Sequence, residues 1–157
     1  MNWYKKAQSN NKKPITGTPY TAVLYKGISK SGPVDEGMYG KGNYYAPERN
    51  VAEGYATDFG DGPGEVISKE ITLHNPLVIT YADIDSLKVK AIINSPEFKN
   101  KTFAKMSELE KREFSSQKIT EEVKKSGHDG IIIVRNNGTP VEVVDLEIMS
   151  KGNYELV

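Results

Sequence analysis

The spacing of apolar residues changes several times along the chain, and each change predicts an element. The run Tyr20 to Ile28 (YTAVLYKGI), rich in β-branched and aromatic residues and preceded by Thr18-Pro19, predicts a first strand. Ser29 to Asn43 holds Gly32, Gly37, Gly40, Gly42 and Pro33 and reads as a loop. Tyr44 and Tyr45 make a short extended piece ended by Pro47. A helix is expected from Pro47 to Ala56, with Pro47 in its first turn and Val51, Ala52 and Tyr55 at helical spacing. Asp58 to Gly64 (DFGDGPG) breaks the chain. In the strand that follows, Ile67, Lys69, Ile71 and Leu73 share one face, and Asn75-Pro76 bends it into Leu77-Val78-Ile79.

A second helix, Ile84 to Ile93, places Ile84, Leu87 and Ala91 together and is limited by Pro96. Residues 102–125 are charged and helical, with Phe103, Met106 and Leu109 facing inward and a second piece carrying Ile119 and Val123. Gly127 is placed as the C-terminal stop. Ile131-Ile132-Ile133-Val134 is unbroken and apolar, the pattern of a buried central strand. Asn136 to Thr139 (NNGT) predicts a hairpin turn, with Val141 to Leu146 as the returning strand. Early strands, middle helices and late strands predict one α+β domain. Its expected limits are residues 20–157, preceded by a basic arm, residues 1–19.

At 157 residues one core suffices, and no staple is required. Cysteine is absent, which excludes disulfide frameworks, thiolate metal sites and thiol nucleophiles; with only His74 and His128 besides, no metal is expected. The formal net charge is zero, unlike that of a general nucleic-acid binder. Residues 1–34 are nonetheless one-sided: Lys5, Lys6, Lys12, Lys13, Lys26 and Lys30 occur there with no acid. These lysines read as a solvated arm or as a phosphate contact, with Trp3 and Tyr4 packing back on the domain. No apolar run reaches the roughly 20 residues of a membrane span, and the N-terminus has no secretory pattern. A cytoplasmic, monomeric protein without membrane contact is therefore expected.

Chemistry is sparse. No P-loop is present, and Gly40-Lys41-Gly42 is compatible with a phosphate but unspecific. His128, between a helix end and a buried strand, and His74, in a bend, read as structural. One stretch stands apart: GKGNYYAPERNVAEGY puts Tyr44 and Tyr55 at the end of a strand and on the helix after it. Two such rings can sandwich a flat heteroaromatic ring, or they can both be core tyrosines.

That stretch resembles the nicotinamide-pocket motif of ADP-ribosyltransferases of the poly(ADP-ribose) polymerase and diphtheria-toxin type. In that family a Gly-x-Tyr-Phe-Ala segment precedes a helix bearing a second tyrosine, at the spacing from Tyr44 to Tyr55. LYKGIS (Leu24–Ser29) resembles the family's first-strand motif, and PVEVVDLE (Pro140–Glu147) its late strand with the catalytic glutamate. GHDGIIIV is similar to the small ADP-ribosyltransferase domains of phage polyvalent proteins and related toxins.

The resemblance implies a split, mainly antiparallel sheet core with flanking helices. It also implies NAD+ as substrate and a mono-ADP-ribosyltransferase acting on an unidentified acceptor, protein sooner than nucleic acid. An NAD+ glycohydrolase or a silent NAD- or ADP-ribose-binding module is the alternative. It makes Glu142 the catalytic acid, with Tyr44 and Tyr55 as the ring clamp. Lys26, Gly27, Ala46, Lys41 and Arg49 join the two tyrosines as cofactor-binding residues, Gly27 through close backbone approach and the cations through the pyrophosphate. Asp145 and Glu147 are the rival acids, and strand alternation turns Asp145 away from Glu142. The chain departs from the family in having Lys26 where relatives have His or Arg, and Ala52 where many have serine. The lysine argues for transfer of single units over polymer growth.

Overall fold

The computed structural model describes residues 13–28, 36–37, 39–58 and 64–146. Expectations for Trp3, Tyr4, the loop at 29–35 and 38, the turn at 59–63 and Glu147 lie outside the described residues. The elements in chain order are β1 (Tyr20–Ile28), β2 (Glu36–Gly37), β3 (Gly40–Lys41), β4 (Asn43–Tyr45), α1 (Arg49–Asp58), β5 (Glu65–Leu73) and β6 (Pro76–Thr80). They continue with α2 (Tyr81–Ile93), the short α3 (Pro96–Lys99), a 3-10 turn (Phe103–Lys105), α4 (Glu108–Lys125), β7 (Gly130–Val134) and β8 (Pro140–Asp145).

The fold is α+β, built on a split and mainly antiparallel sheet. β1 and β5 pair antiparallel along their whole length, from Tyr20 opposite Leu73 to Ile28 opposite Glu65. The second sheet runs β4-β8-β7-β6, with its one parallel pair between β6 and β7. Alternation gives this sheet two apolar faces. Tyr45, Val143, Ile132 and Val134 pack with Tyr20, Ala22, Leu24, Ile71 and Leu73 of the first sheet. Ile131, Ile133 and Val144 of the opposite face pack with Ile84 of α2 and with Ile119 and Val123 of α4. The sheets join at one point, where the Tyr25 and Ala46 backbones exchange hydrogen bonds of 2.8 and 2.7 Å.

Several expected details shift. Pro47 lies ahead of α1, because Ala46 must stay extended to meet Tyr25 and a residue before proline favours that conformation. The buried face of α1 is Ala52 and Ala56, whereas Val51 and Tyr55 are both exposed. The expected loop Ser29–Asn43 contains the β2–β3 pair, Glu36 opposite Lys41. The helical stretch over 102–125, expected in two pieces, divides at Ser107, where Ser107 and Glu110 form a reciprocal capping box that starts α4 afresh. Leu109 consequently faces solvent at 62% exposure. α2 starts at Tyr81, three residues early, capped by the Thr80 hydroxyl. Thr16 and Gly17, assigned to the arm, are tied to edge strand β6: Thr16 Oγ1 exchanges hydrogen bonds with Val78 and the Gly17 N–H donates to the Pro76 carbonyl. No helix among the described residues is long and apolar enough to cross a membrane.

Helix α1 packs on β1 with no room for a side chain at Gly27. A Cβ there would stand 2.0 Å from the Ala52 carbonyl oxygen and 2.8 Å from the Ala56 nitrogen. Gly27→Ala must therefore push the helix outward, and urea unfolding is expected to show a loss of about 3 kcal/mol. An unchanged midpoint would mean that α1 moves without penalty.

Candidate functional site

Glu142 breaks the pattern of its strand. On β8 it stands opposite Ile133, and two residues along the same face Val144 stands opposite Ile131 and Tyr44. Period-2 alternation reserves this helix-packed face for hydrophobes, and Ile131, Ile133 and Val144 are fully buried. An acid has taken one of these places. The register shift beside it, where Val134 pairs with Pro140, inserts Val141 as a bulge that turns the end of β8. Glu142 is partly buried, and among the described residues no hydrogen bond or ion pair compensates its charge. Burial alone pushes its carboxyl up to about 7.

Tyrosines surround it. Tyr39, Tyr55 and Tyr81 all lie within electrostatic reach of Glu142, and burial first, with that negative charge contributing, raises each phenol. For Tyr81, the first residue of α2, the result is about 12, with the Tyr39 and Tyr55 phenols adding to the rise and Arg135 opposing it. Tyr39 and Tyr81 form a tilted ring pair, centroids 5.6 Å apart at 52°, a favourable edge-to-face type of arrangement. Asp85 lies close enough to the Tyr39 hydroxyl to add to the rise of that phenol, and Lys88 approaches the same ring at 6.0 Å.

Register alone accounts for much of this cluster. Thr80 pairs with Val134 across the parallel strands, so Tyr81 and Arg135 follow side by side where those strands end. Ile133, one step back, brings in Glu142 from the other neighbour. A hollow of about 490 Å³ lies farther along α2, between Asp85, Val89, Lys90 and Ile93. It touches the cluster only through Asp85, so the hollow and the acid do not coincide.

The residues singled out from sequence are distributed unevenly around this acid. Tyr55, on α1, lies within electrostatic range of it and is 42% exposed. Tyr44 lies one row along the same sheet face, half-buried. Its hydroxyl donates to the Gly40 carbonyl and accepts from the Tyr39 N–H at 3.2 Å, so it pins the turn that carries Tyr39. Lys26 is buried at 5% exposure, with its ammonium donating to the Tyr44 carbonyl at 3.3 Å and lying 5.3 Å from the Tyr45 ring centroid. That position withdraws it from the expected phosphate contact.

Close approach at Gly27 is made by helix α1. The Ala46 backbone is spent on Tyr25. Lys41 is anchored by its N–H to Thr120 Oγ1 at 2.8 Å, and the glycines beside it serve packing: Gly40 has φ of 112°, and a Cβ on Gly42 would strike the Asp145 carbonyl oxygen at 2.5 Å. Arg49 is exposed, 3.7 Å from Glu53 and 6.0 Å from the Tyr25 ring centroid. Asp145 lies on the Tyr45 side, where its charge adds to the effect of burial in raising that phenol. His128 bonds Asn75 through Nδ1 at 3.1 Å to the carbonyl oxygen and 3.3 Å to Oδ1. Sequence reading missed Tyr39, Tyr81, Asp85 and Arg135; none carries a local motif, and only the strand register brings them together. No family model, no curated protein and no solved structure matches the chain.

The raised carboxyl makes stability depend on pH. Folded Glu142 holds its proton up to about pH 7, while the unfolded side chain releases it near the ordinary 4.5. The proton-bound contribution is thus complete below about 4.5 and is lost as pH rises to about 7. Glu142→Gln keeps the neutral shape, so it is expected to match wild type at pH 4.5 and to exceed it by up to about 3 kcal/mol at pH 8. Urea titrations at the two pH values test this. Equal differences at both would place the carboxyl in water.

Proposed function

We propose that this chain cleaves NAD+ and transfers single ADP-ribose units, as the resemblance of its tyrosine-bearing segment and late strand implies. The observation that carries the reading is the desolvated Glu142, placed on an apolar sheet face among tyrosine rings at considerable expense to stability. The three resembling segments also lie next to one another: β1 meets the end of β4 at Tyr25 and Ala46, and β4 pairs with β8.

In the proposed reaction the pyridinium stacks on the exposed Tyr55 ring, with Tyr44 stiffening the wall from which Tyr39 projects. The bond from ribose C1′ to the pyridinium nitrogen breaks, and nicotinamide leaves with the electron pair. Positive charge spreads over C1′ and the ring oxygen, where ionised Glu142 stabilises it, most directly by holding a ribose hydroxyl. An acceptor oxygen or nitrogen then bonds to C1′ and releases its proton. Burial strengthens this attraction by excluding water. The acceptor is a macromolecule, protein sooner than nucleic acid.

Incubation with labelled NAD+ and a cell lysate is expected to put label on macromolecules. Free ADP-ribose as the sole product would make the chain a glycohydrolase, and intact NAD+ that nonetheless binds would make it a silent module. Because the carboxylate is the working form, kcat/KM should climb with pH through about 7. Glu142→Gln should bind NAD+ almost normally, lose about a hundredfold in turnover and lose that pH limb. Tyr55→Ala should weaken NAD+ binding by roughly 1–3 kcal/mol, measured by calorimetric titration. A normal titration would assign the ring to packing.

A further inference from the structure

Two of the three cations that sequence reading assigned to phosphate, Lys26 and Arg49, are engaged elsewhere. Lys26 is inside the protein on the Tyr44 carbonyl, and Arg49 lies against Glu53 and Tyr25. A dinucleotide seated at Glu142 still has to place two phosphate charges. One guanidinium stands where the acid stands. Arg135 directly follows Val134 of β7, beside Tyr81 and two residues beyond Ile133, the cross-strand partner of Glu142.

The backbone at Arg135 is fixed. Its N–H donates to the Thr139 carbonyl at 2.9 Å, and its carbonyl accepts from the Gly138 N–H at 2.8 Å, closing the hairpin turn. Gly138, at φ of 89°, is what allows so tight a reversal. The side chain is exposed, and among the described residues no carboxylate pairs with it. A planar fork of donors mounted on a rigid turn suits a phosphate oxygen pair, which a lysine would hold only as a point charge. Its charge is also felt at the Tyr81 phenol, inside the cluster.

We propose that Arg135, beside Tyr81 at the ends of β6 and β7, is the residue that grips the diphosphate of the nucleotide and thereby sets its position against Glu142. The proposal rests on the NAD+ reading of the same site and adds a specificity determinant to it. Arg135 is a binding residue here and takes no part in bond cleavage. It selects a phosphorylated ligand over a bare nicotinamide ribose.

The test is equilibrium titration of wild type, Arg135→Ala and Arg135→Lys with NAD+, ADP-ribose, inorganic pyrophosphate and nicotinamide riboside. Folding of each variant is checked by its unfolding midpoint. Arg135→Ala should bind NAD+ and ADP-ribose about ten- to hundredfold more weakly, the effect of one lost charge-assisted bond, and should bind nicotinamide riboside as wild type does. Arg135→Lys should recover part of the loss. In turnover, KM for NAD+ should rise about as much as affinity falls, with a smaller fall in kcat from the looser positioning against Glu142.

Equal NAD+ affinity in wild type and Arg135→Ala would overturn the role of Arg135 and leave the NAD+ reading standing. Wild type that binds pyrophosphate or ADP-ribose through Arg135 but not NAD+ would leave the anion site and remove the NAD+ reading. Binding of none of the four ligands would overturn both.

Discussion

A strand that is hydrogen-bonded on both sides cannot rotate a misplaced side chain into water. β8 is such a strand over Val143–Asp145, with β4 on one side and β7 on the other, and Glu142 directly precedes that stretch, paired with Ile133 of β7. Its alternation aims Glu142 at the face that α2 and α4 cover, where every neighbouring row is apolar. Relief for the acid would require breaking the ladder, which takes more free energy than tolerating a neutral carboxyl does. The protein therefore keeps a group whose charge is suppressed up to about neutral pH.

Close backbone approaches fix the surroundings of that acid. Gly27 lets α1 sit directly on β1, and the same helix carries Tyr55 toward the acid. Gly42 lets the chain pass the Asp145 carbonyl on its way into β4. Tyr44 then does two jobs at once, filling space on the sheet face and pinning the turn that holds Tyr39. These contacts make the glycine-rich segment a packing device. Buried Lys26 belongs to the same framework, since its ammonium holds the Tyr44 carbonyl from beneath.

Much of the architecture was legible because local signals agreed with it. The β-branched run Tyr20 to Ile28 and the apolar run ending at Val134 became strands, and NNGT became the turn between β7 and β8. The break before α4 was also written plainly: Ser107 and Glu110 stand at capping-box spacing, a signal outweighed by the apolar residues around it. On α1 the helical period allowed two faces, and only the contact with Gly27 decides for the small pair Ala52 and Ala56. The acid Glu142 and Tyr55 could be named from sequence. Their companions could not, because Tyr81 and Arg135 become neighbours through a parallel pairing between segments some fifty residues apart, a distance at which single-sequence patterns carry no register.

That parallel pairing also governs the order in which the protein can assemble. β6 must wait for β7 until the whole helical segment has been made, and β4, near the start, finds its neighbour only in β8, almost at the end. Contacts of such long sequence separation form late and slowly. The acid arrives on the very strand that completes the sheet, so a growing chain carries its tyrosines for most of synthesis without the group they surround. The cluster around Glu142 is thus completed only when β8 closes the sheet, and no shorter form of the domain possesses it.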